Sequence, residues 1–156
     1  MTIGADEFRR TMGLFATGVT VVTLLDDAGK PQGLTANSVT SVSLNPPLLL
    51  VCVDRGAVCF PCFKGGRGFA VNILTEAQED LSRRFASRLE NKFEGVPYRP
   101  GVLGAPLLKG CLGYLECRIV QAFPGGDHVI FVGEVVRGEA SEGQPLLFYQ
   151  GRYTPL

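Results

Sequence analysis

The chain has 156 residues, and its 15 Lys and Arg residues balance its 15 Asp and Glu residues, so the formal net charge is zero. Hydrophobic residues make up 46% and charged residues 19%, which excludes disorder, since disorder requires low hydrophobicity and high net charge. The balanced charge argues against a nucleic-acid partner, and polar residues interrupt every apolar run too soon for a membrane span. At this length we expect one domain over 1–156.

The first predicted element is a helix, because Phe8, Met12 and Phe15 recur at helical spacing among charged residues. Gly18 follows as its predicted end. Runs of β-branched and apolar residues then predict strands, in chain order, at 19–25, 32–35, 48–53 and 69–74. The strand at 48–53 is so continuously apolar that we expect both its faces to be buried.

A second helix is predicted to begin after Thr75, because Thr75 and Gln78 have the spacing of a capping box. It continues to about Ser87, with Leu81 and Phe85 on one face. The remaining strands are predicted at 112–123, 128–137 and 145–149. Most strands follow one another through turns, without the alternating helices of a doubly wound sheet, so we predict a mainly β fold with an antiparallel sheet closed into a barrel.

The stretch 33–47 is unusual, because hydroxyl and amide side chains alternate with small apolar residues between two predicted strands. One interpretation is an edge strand that faces solvent, followed by a turn. The other is a cradle for an anionic ligand with a flat part, because hydroxyls and backbone N–H groups bind phosphate and small side chains admit a ring. Residues 52–54 would form its floor. Arg83 and Arg84 would supply charge, unless they are ordinary helix surface.

Cys59 and Cys62 form a Cys-x-x-Cys motif, which elsewhere is a redox pair or half of a zinc site. The motif lacks thioredoxin-like surroundings, and the other Cys residues lie inside predicted strands, so we expect a structural pair of thiols. The sequence leaves open whether they form a disulfide. Five Cys residues and an N-terminal segment without a signal-peptide core lead us to expect a cytoplasmic protein.

Several catalytic motifs are missing from the sequence. No Gly-x-Gly-x-x-Gly opens a helix after a strand, and no glycine-rich loop ends in Gly-Lys-Ser or Gly-Lys-Thr. His128 is the only His, which excludes a His-x-x-x-His zinc helix, and no Gly-x-Ser-x-Gly elbow presents a Ser to it. We therefore expect no metal site and no catalytic triad.

The order and spacing of nine segments resemble those of the flavin reductase-like domain proteins. This family includes the small reductase components of two-component flavin monooxygenases. Each segment is weak evidence alone, but their succession along most of the chain is specific. The segments are ATGVTVVT (16–23), GLTANS (33–38), SVSLNPPL (41–48), VCVD (51–54), FAVNIL (69–74), LSRRFA (81–86), GDH (126–128), VGEV (132–135) and PLLFY (145–149).

The resemblance implies a split β-barrel of the FMN-binding type, antiparallel and Greek-key-like, with two or three short helices. It also implies a homodimer that binds FMN or FAD near its interface and reduces the flavin with NADH or NADPH, by hydride transfer to flavin N5. Reduced flavin would then diffuse to a separate oxygenase component. By position, the implied flavin-binding residues are Thr35, Ala36, Asn37, Ser38, Ser41, Cys52, Val53, Asp54, Arg84 and Phe85. His128 would lie beside the nicotinamide, unless it is an ordinary turn residue.

One departure from the family concerns the phosphate. Family members often carry Ser or Thr just after the Asp-Arg pair, whereas this chain has Ala57 and Val58 there. The sequence therefore leaves open how the phosphate is held. Two alternative functions also stand: a non-catalytic FMN-binding electron carrier or sensor on the same barrel, and a barrel that binds a small molecule or heme without a redox role.

Overall fold

Strands dominate the computed structural model, which describes residues Met1–Leu156. The helices are α1 (Ala5–Met12), α2 (Phe60–Gly65) and α3 (Glu79–Phe85), the last preceded by a 3-10 turn at Glu76–Gln78. The strands are β1 (Thr17–Gly18), β2 (Thr20–Leu25), β3 (Pro31–Ala36), β4 (Val39–Leu44), β5 (Pro47–Asp54), β6 (Gly68–Ile73), β7 (Tyr98–Pro100), β8 (Pro106–Leu108), β9 (Gly113–Gly125), β10 (His128–Ala140), β11 (Leu147–Tyr149) and β12 (Arg152–Thr154). No helix is long and apolar enough to cross a membrane.

Seven strands form the main sheet in the order β3-β2-β6-β9-β10-β5-β4. Every pair of neighbours is antiparallel. The two edge strands, β3 and β4, are consecutive in the chain and are joined by Asn37 and Ser38 alone. Seven strands laid flat would span about 29 Å between the edges, whereas a two-residue link reaches about 11 Å. The sheet must therefore roll until its edges meet, which confirms the predicted split barrel.

The barrel interior is filled by aliphatic and aromatic side chains from both ends of the sheet. Phe63 of α2 stacks on Phe131 of β10 with ring centroids 5.1 Å apart, and it also contacts Phe69 of β6. A second cluster packs α3 against the outside of β2, with Phe85 and Phe93 in edge-to-face contact at 5.0 Å. Helix α2 thus contributes to the interior core, whereas α3 is fixed beside β2 and the edge strand β3.

The structure corrects several sequence predictions. α1 ends at Met12, not at Gly18, because the Gly13 N–H donates to the Arg9 carbonyl and the chain then turns away. Burial in β5 alternates, with Leu49, Val51 and Val53 inside, so the strand is not buried on both faces. The sequence analysis also missed the helix α2. The capped helix is confirmed, since the Thr75 N–H donates to Gln78 Oε1 at 3.0 Å.

Gly33 sets the distance between β3 and α3. A Cβ atom at this position would lie 3.0 Å from the Phe85 ring and 3.1 Å from the Val22 carbonyl oxygen. We expect Gly33→Ala to lower the free energy of unfolding by about 1–3 kcal/mol, because overpacking forces the helix or strand to shift. Urea unfolding followed by circular dichroism measures this change.

The matched control is Gly18→Ala in β1, where an added Cβ meets no atom within 4 Å. This variant should unfold within about 0.5 kcal/mol of the parent chain. Equal stability of the two variants would contradict the assigned packing of α3 on β3.

Candidate functional site

The site lies at the seam, by which we mean the place where the link Asn37–Ser38 meets the end of β5 at 52–54. The Cys52 N–H donates to the Ser38 carbonyl at 3.0 Å and so extends the β4–β5 ladder by one residue beyond the pair Val39–Val51. No ladder of hydrogen bonds joins the edge strands β3 and β4 at the seam. Backbone groups and small side chains are therefore accessible there. This is the stretch that the sequence analysis singled out as either a cradle or an edge strand, and the structure shows both an edge and a concave surface.

Two cavities flank the seam. The α3 cavity, of about 290 Å³, lies between 34–35 of β3, Asp54 with the following loop 56–59, and 85–88 with Lys92. The α1 cavity, of about 710 Å³, is bounded by α1, Thr17, residues 37–40 of the link and β4, Leu50 and Cys52 of β5, and 148–151. We call the run 34–40 the seam strip, because residues 34–35 line the α3 cavity and residues 37–40 line the α1 cavity.

The structure brings most of the predicted site residues to this strip. Three line the α3 cavity, namely Thr35, Asp54 and Phe85. Three others line the α1 cavity, namely Asn37, Ser38 and Cys52. Ala36 and Val53 lie between them with buried side chains, so only their backbone can face a ligand. Ser41 is exposed on β4 and lines neither cavity.

Thr35 uses its hydroxyl within the protein. The Thr35 hydroxyl donates to the Ser82 carbonyl at 2.6 Å, and the Ser82 hydroxyl in turn shares a hydrogen bond of 2.6 Å with Tyr153. These contacts join β3, α3 and β12. The Thr35 side chain therefore fixes the wall of the α3 cavity, and what it presents to a ligand is mainly its backbone and methyl group.

The two Arg residues of α3 are also engaged within the protein. Arg84 donates through Nε to the Lys92 carbonyl at 2.6 Å and through Nη2 to the carbonyls of Glu94, at 2.9 Å, and Asn91, at 3.3 Å. Arg83 pairs with Glu79 at 2.7 Å on the helix surface. Neither guanidinium lines the α3 cavity, and Arg84 instead holds the loop that follows the helix.

His128 begins β10 directly opposite Asp54 at the end of β5. Its Nδ1 lies 2.7 Å from Asp127 Oδ1, and this hydrogen bond lowers the pKa of the Asp127 carboxyl. The ring is partly exposed, with 38% of its side chain accessible, and it lines neither cavity. The structure thus places His128 beside the predicted ring contacts, oriented by a neighbouring carboxylate.

Two polar groups at the seam keep hydrogen-bonding capacity that the protein does not use: the Thr17 hydroxyl has no partner, and the Lys92 ammonium uses two of its three N–H donors. The Thr17 hydroxyl is buried, lines the α1 cavity and makes no hydrogen bond. Lys92 is half-buried at the α3 cavity and forms no ion pair. Buried polar groups are nearly always satisfied, so each cavity carries a group that a ligand could complete.

The sequence analysis missed Thr17, Arg88 and Lys92. Thr17 belongs to the segment ATGVTVVT, which the resemblance already includes. The sequence does not show, however, that its hydroxyl is buried without a hydrogen-bond partner. Arg88 and Lys92 follow α3 in a segment of irregular structure. No local pattern shows that this segment folds back over the helix, because Arg84 holds it through backbone carbonyls that any residue would offer.

Cys59, the first residue of the Cys-x-x-Cys motif, lines the α3 cavity, whereas Cys62 lines neither cavity. All five Cys thiols of the chain are free. Cys59 precedes α2 and is buried, and burial raises the pKa of its thiol to about 11. Burial also raises the pKa of Cys62. A redox pair instead needs a lowered pKa, so the structure supports the expected structural role.

We expect Cys59 to resist alkylation in the native protein at neutral pH. A pKa raised from 9.0 to about 11 leaves a thiolate population about a hundredfold smaller. Labelling with iodoacetamide, followed by peptide mass spectrometry, should show slow modification of Cys59 and Cys117 that accelerates as the pH rises. Both should react quickly after denaturation, and fast native labelling of Cys59 would contradict its assigned burial.

With this geometry established, the chain was compared with known proteins. Residues 12–156 match the model of the family described as flavin reductase like domain. A probable flavin reductase of Rhizobium meliloti (strain 1021) is 44% identical over 145 residues, which cover 93% of this chain and 47% of the relative. The chain therefore spans about half the length of that relative.

Other relatives are matched over most of their length. An NADH-dependent FAD reductase of Streptomyces globisporus is 44% identical over 155 residues, covering 94% of this chain and 83% of the relative. The reductase subunit HsaB of a flavin-dependent monooxygenase from Mycobacterium tuberculosis (strain CDC 1551 / Oshkosh) is 39% identical, with 94% and 80% covered.

Among solved structures, flavin reductase PheA2 in its native state superimposes with a TM-score of 0.92 at 40% sequence identity, and 99% of each chain is covered. The family model, the sequence identities and the fold therefore show that the chain belongs to the flavin reductase-like domain family.

Proposed function

We propose that the chain is a flavin reductase that uses NADH or NADPH to reduce FMN or FAD. The observation that carries the proposal is the pair of cavities at the seam, one lined by the unpartnered Thr17 hydroxyl and the other by Lys92, which forms no ion pair. An extended ligand with a flat ring at one end and a phosphate at the other matches this arrangement. The Streptomyces relative, named for NADH and FAD, supports the same reaction.

The residues of the seam fit a flavin. Ala36 and Ser38 are small, so a ring can approach the backbone between β3 and β5. Asn37, Ser38 and the Cys52 region would contact the ring and the ribityl chain from the α1 cavity, where the Thr17 hydroxyl offers a further hydrogen bond. The phosphate would lie in the α3 cavity, beside Asp54, Phe85 and the segment that Arg84 holds.

The protein's contribution to the reaction is orientation and exclusion of water. When bound, the flavin would supply the ring position that accepts hydride from the reduced nicotinamide. Phe8, Met12, Phe15 and Phe148 line the α1 cavity and would keep water from the stacked rings. His128, held by Asp127, would position the nicotinamide at the end of β5. No side chain has to transfer a proton, in keeping with the single His.

A separate oxygenase component is the proposed recipient of reduced flavin. HsaB, the relative from Mycobacterium tuberculosis, is the reductase subunit of a flavin-dependent monooxygenase. The open side of the α1 cavity would let flavin leave after reduction, as a diffusible carrier requires. The cytoplasm is the proposed compartment, because all five thiols are free and a reducing environment keeps them so.

The first test measures NADH and NADPH oxidation by absorbance with and without added FMN or FAD. We expect oxidation that depends on both the protein and the flavin, well above the rate of the protein-free mixture. A yellow protein that binds flavin without accelerating NADH oxidation would indicate the alternative electron carrier or sensor. A colourless protein that binds no flavin would indicate a barrel for another ligand.

The His128→Ala variant separates the two binding functions. It should raise the KM for NADH by about tenfold, from the loss of one polar contact, while the Kd for flavin stays unchanged. Asp127→Asn, which keeps a hydrogen-bond partner for the ring, should have a smaller effect. Equal losses for NADH and flavin would show that His128 is misplaced in this proposal.

A homodimer is the proposed assembly. α1 has eight residues and none of them is buried, with Phe8 55% and Met12 52% exposed. Isolated helices of this length are unstable in water, so α1 needs a surface that covers it. The neighbouring edge strand β4 likewise leaves Leu44 94% exposed. A second copy that covers α1 and β4 would bury these side chains and complete the wall of the α1 cavity.

Size-exclusion chromatography with light scattering should give about twice the chain mass of 16.8 kDa. The double variant Phe8→Ser/Met12→Ser should shift the mass toward a single chain, because an interface needs its apolar core. Val102→Ser, at a side chain that is 61% exposed on the loop between β7 and β8, is the control and should remain dimeric. A parent chain that elutes as a monomer would overturn the assembly.

A further inference from the structure

The α3 cavity carries positive charge that the protein itself does not neutralise. Lys92 and Arg88 both line it, and Asp54 is the only carboxylate among the lining residues. Asp54 Oδ1 accepts a hydrogen bond from the Gly56 N–H at 2.7 Å, so this carboxylate stabilises the loop that follows β5. Neither cation forms an ion pair. The cavity is therefore suited to an anion.

Lys92 is the more constrained of the two cations. Its ammonium donates to the Phe85 carbonyl at 3.0 Å and to the Gly33 carbonyl at 3.4 Å. An ammonium has three N–H donors, so one remains free. Burial lowers the pKa of Lys92, because the charged ammonium loses part of its hydration in this position. An anion in the cavity would offset that loss.

The alternative side-chain phosphate donors are already used or absent. Ala57 and Val58 replace the hydroxyl residues that the family often carries after Asp54 and Arg55. The Ala57 N–H donates to the Asp54 carbonyl at 3.0 Å. Arg84 is committed to three carbonyls, and one of these belongs to Lys92 itself. Arg84 thus acts as a positioning residue, because it fixes the backbone from which the Lys92 side chain extends.

We propose that Lys92, assisted by Arg88, binds the phosphate of the flavin in the α3 cavity and makes the protein selective for phosphorylated flavins over riboflavin. This inference rests on the proposed flavin reductase function. It assigns the phosphate contact to the segment after α3, whereas the resemblance alone assigned it to Arg84. The shared chemistry is phosphate, which NADH also carries, so the test must distinguish the two sources.

The experiment titrates FMN and riboflavin by flavin fluorescence without nicotinamide and compares their Kd values. In Lys92→Met, the Kd for FMN should rise by about tenfold to a hundredfold, as expected for the loss of a charge-assisted hydrogen bond. The Kd for riboflavin should not change. Lys92→Arg should restore most of the preference for FMN, and added salt should weaken FMN binding in the parent chain more than in Lys92→Met.

Lys30→Met is the matched control, since it removes the same charge from an exposed turn between β2 and β3. It should leave both Kd values unchanged. Melting temperatures are measured for every variant, because the Lys92 ammonium also donates to the Phe85 carbonyl at the end of α3 and so contributes to stability. If Lys92→Met does not fold, Arg88→Met takes its place, since Arg88 is exposed, and its preference for FMN should fall by about threefold or more.

Four results would overturn the inference. Parallel losses for FMN and riboflavin would show a structural role of Lys92, and an unchanged ratio would show that another group binds the phosphate. A change confined to the KM for NADH would assign Lys92 to the dinucleotide. If the parent chain binds neither flavin, the proposed function itself fails, whereas equal binding of FMN and riboflavin by the parent chain overturns only this inference.

Discussion

The two-residue link between β3 and β4 is the constraint on which the structure depends. It ties together strands at opposite edges of a seven-stranded sheet, so the sheet can exist only as a rolled barrel. No ladder pairs β3 with β4, so at this edge the barrel is closed by the covalent link alone. The incomplete closure leaves a seam, and the seam supplies the accessible backbone and small side chains that a planar ligand requires.

Polar side chains around the seam divide into those the protein uses and those it leaves unsatisfied. Thr35 and Arg84, which sequence resemblance assigned to the ligand, instead hold α3 and the segment that follows it. Thr17, whose hydroxyl has no partner, lines the α1 cavity, and Lys92, which forms no ion pair, lines the α3 cavity. A hydrogen bond made within the chain fixes a wall, whereas a group with unused hydrogen-bonding capacity at a cavity is available for binding. Our proposal therefore gives ligand contacts to Thr17 and Lys92 and a positioning role to Arg84.

The sequence could predict those elements and residues whose structure depends on neighbours in the chain, but not those that depend on distant contacts. Local patterns predicted β2, β3, β6 and the capped start of α3, because their periodicity and capping depend on neighbours in the chain. They missed α2, a helix of six residues that contains Pro61 and ends in Gly65, and the short strands that exist only through pairing partners far away in the chain. The position of the site was predictable from composition, but the direction of each side chain depends on contacts such as Arg84 with Lys92.

The low charge of the chain can now be related to its surface. Charged residues make up 19% of the sequence, and the exposed apolar side chains are concentrated on α1, the segment after it and β4, all beside the α1 cavity. A helix with no buried residue contributes nothing to the stability of one chain, so it must be stabilised by what covers it. If a second copy covers it, the apolar walls that exclude water from the reacting rings are completed only on assembly. Dimerisation and reduction of flavin would then depend on the same side chains, and the Phe8→Ser/Met12→Ser variant should lose both together.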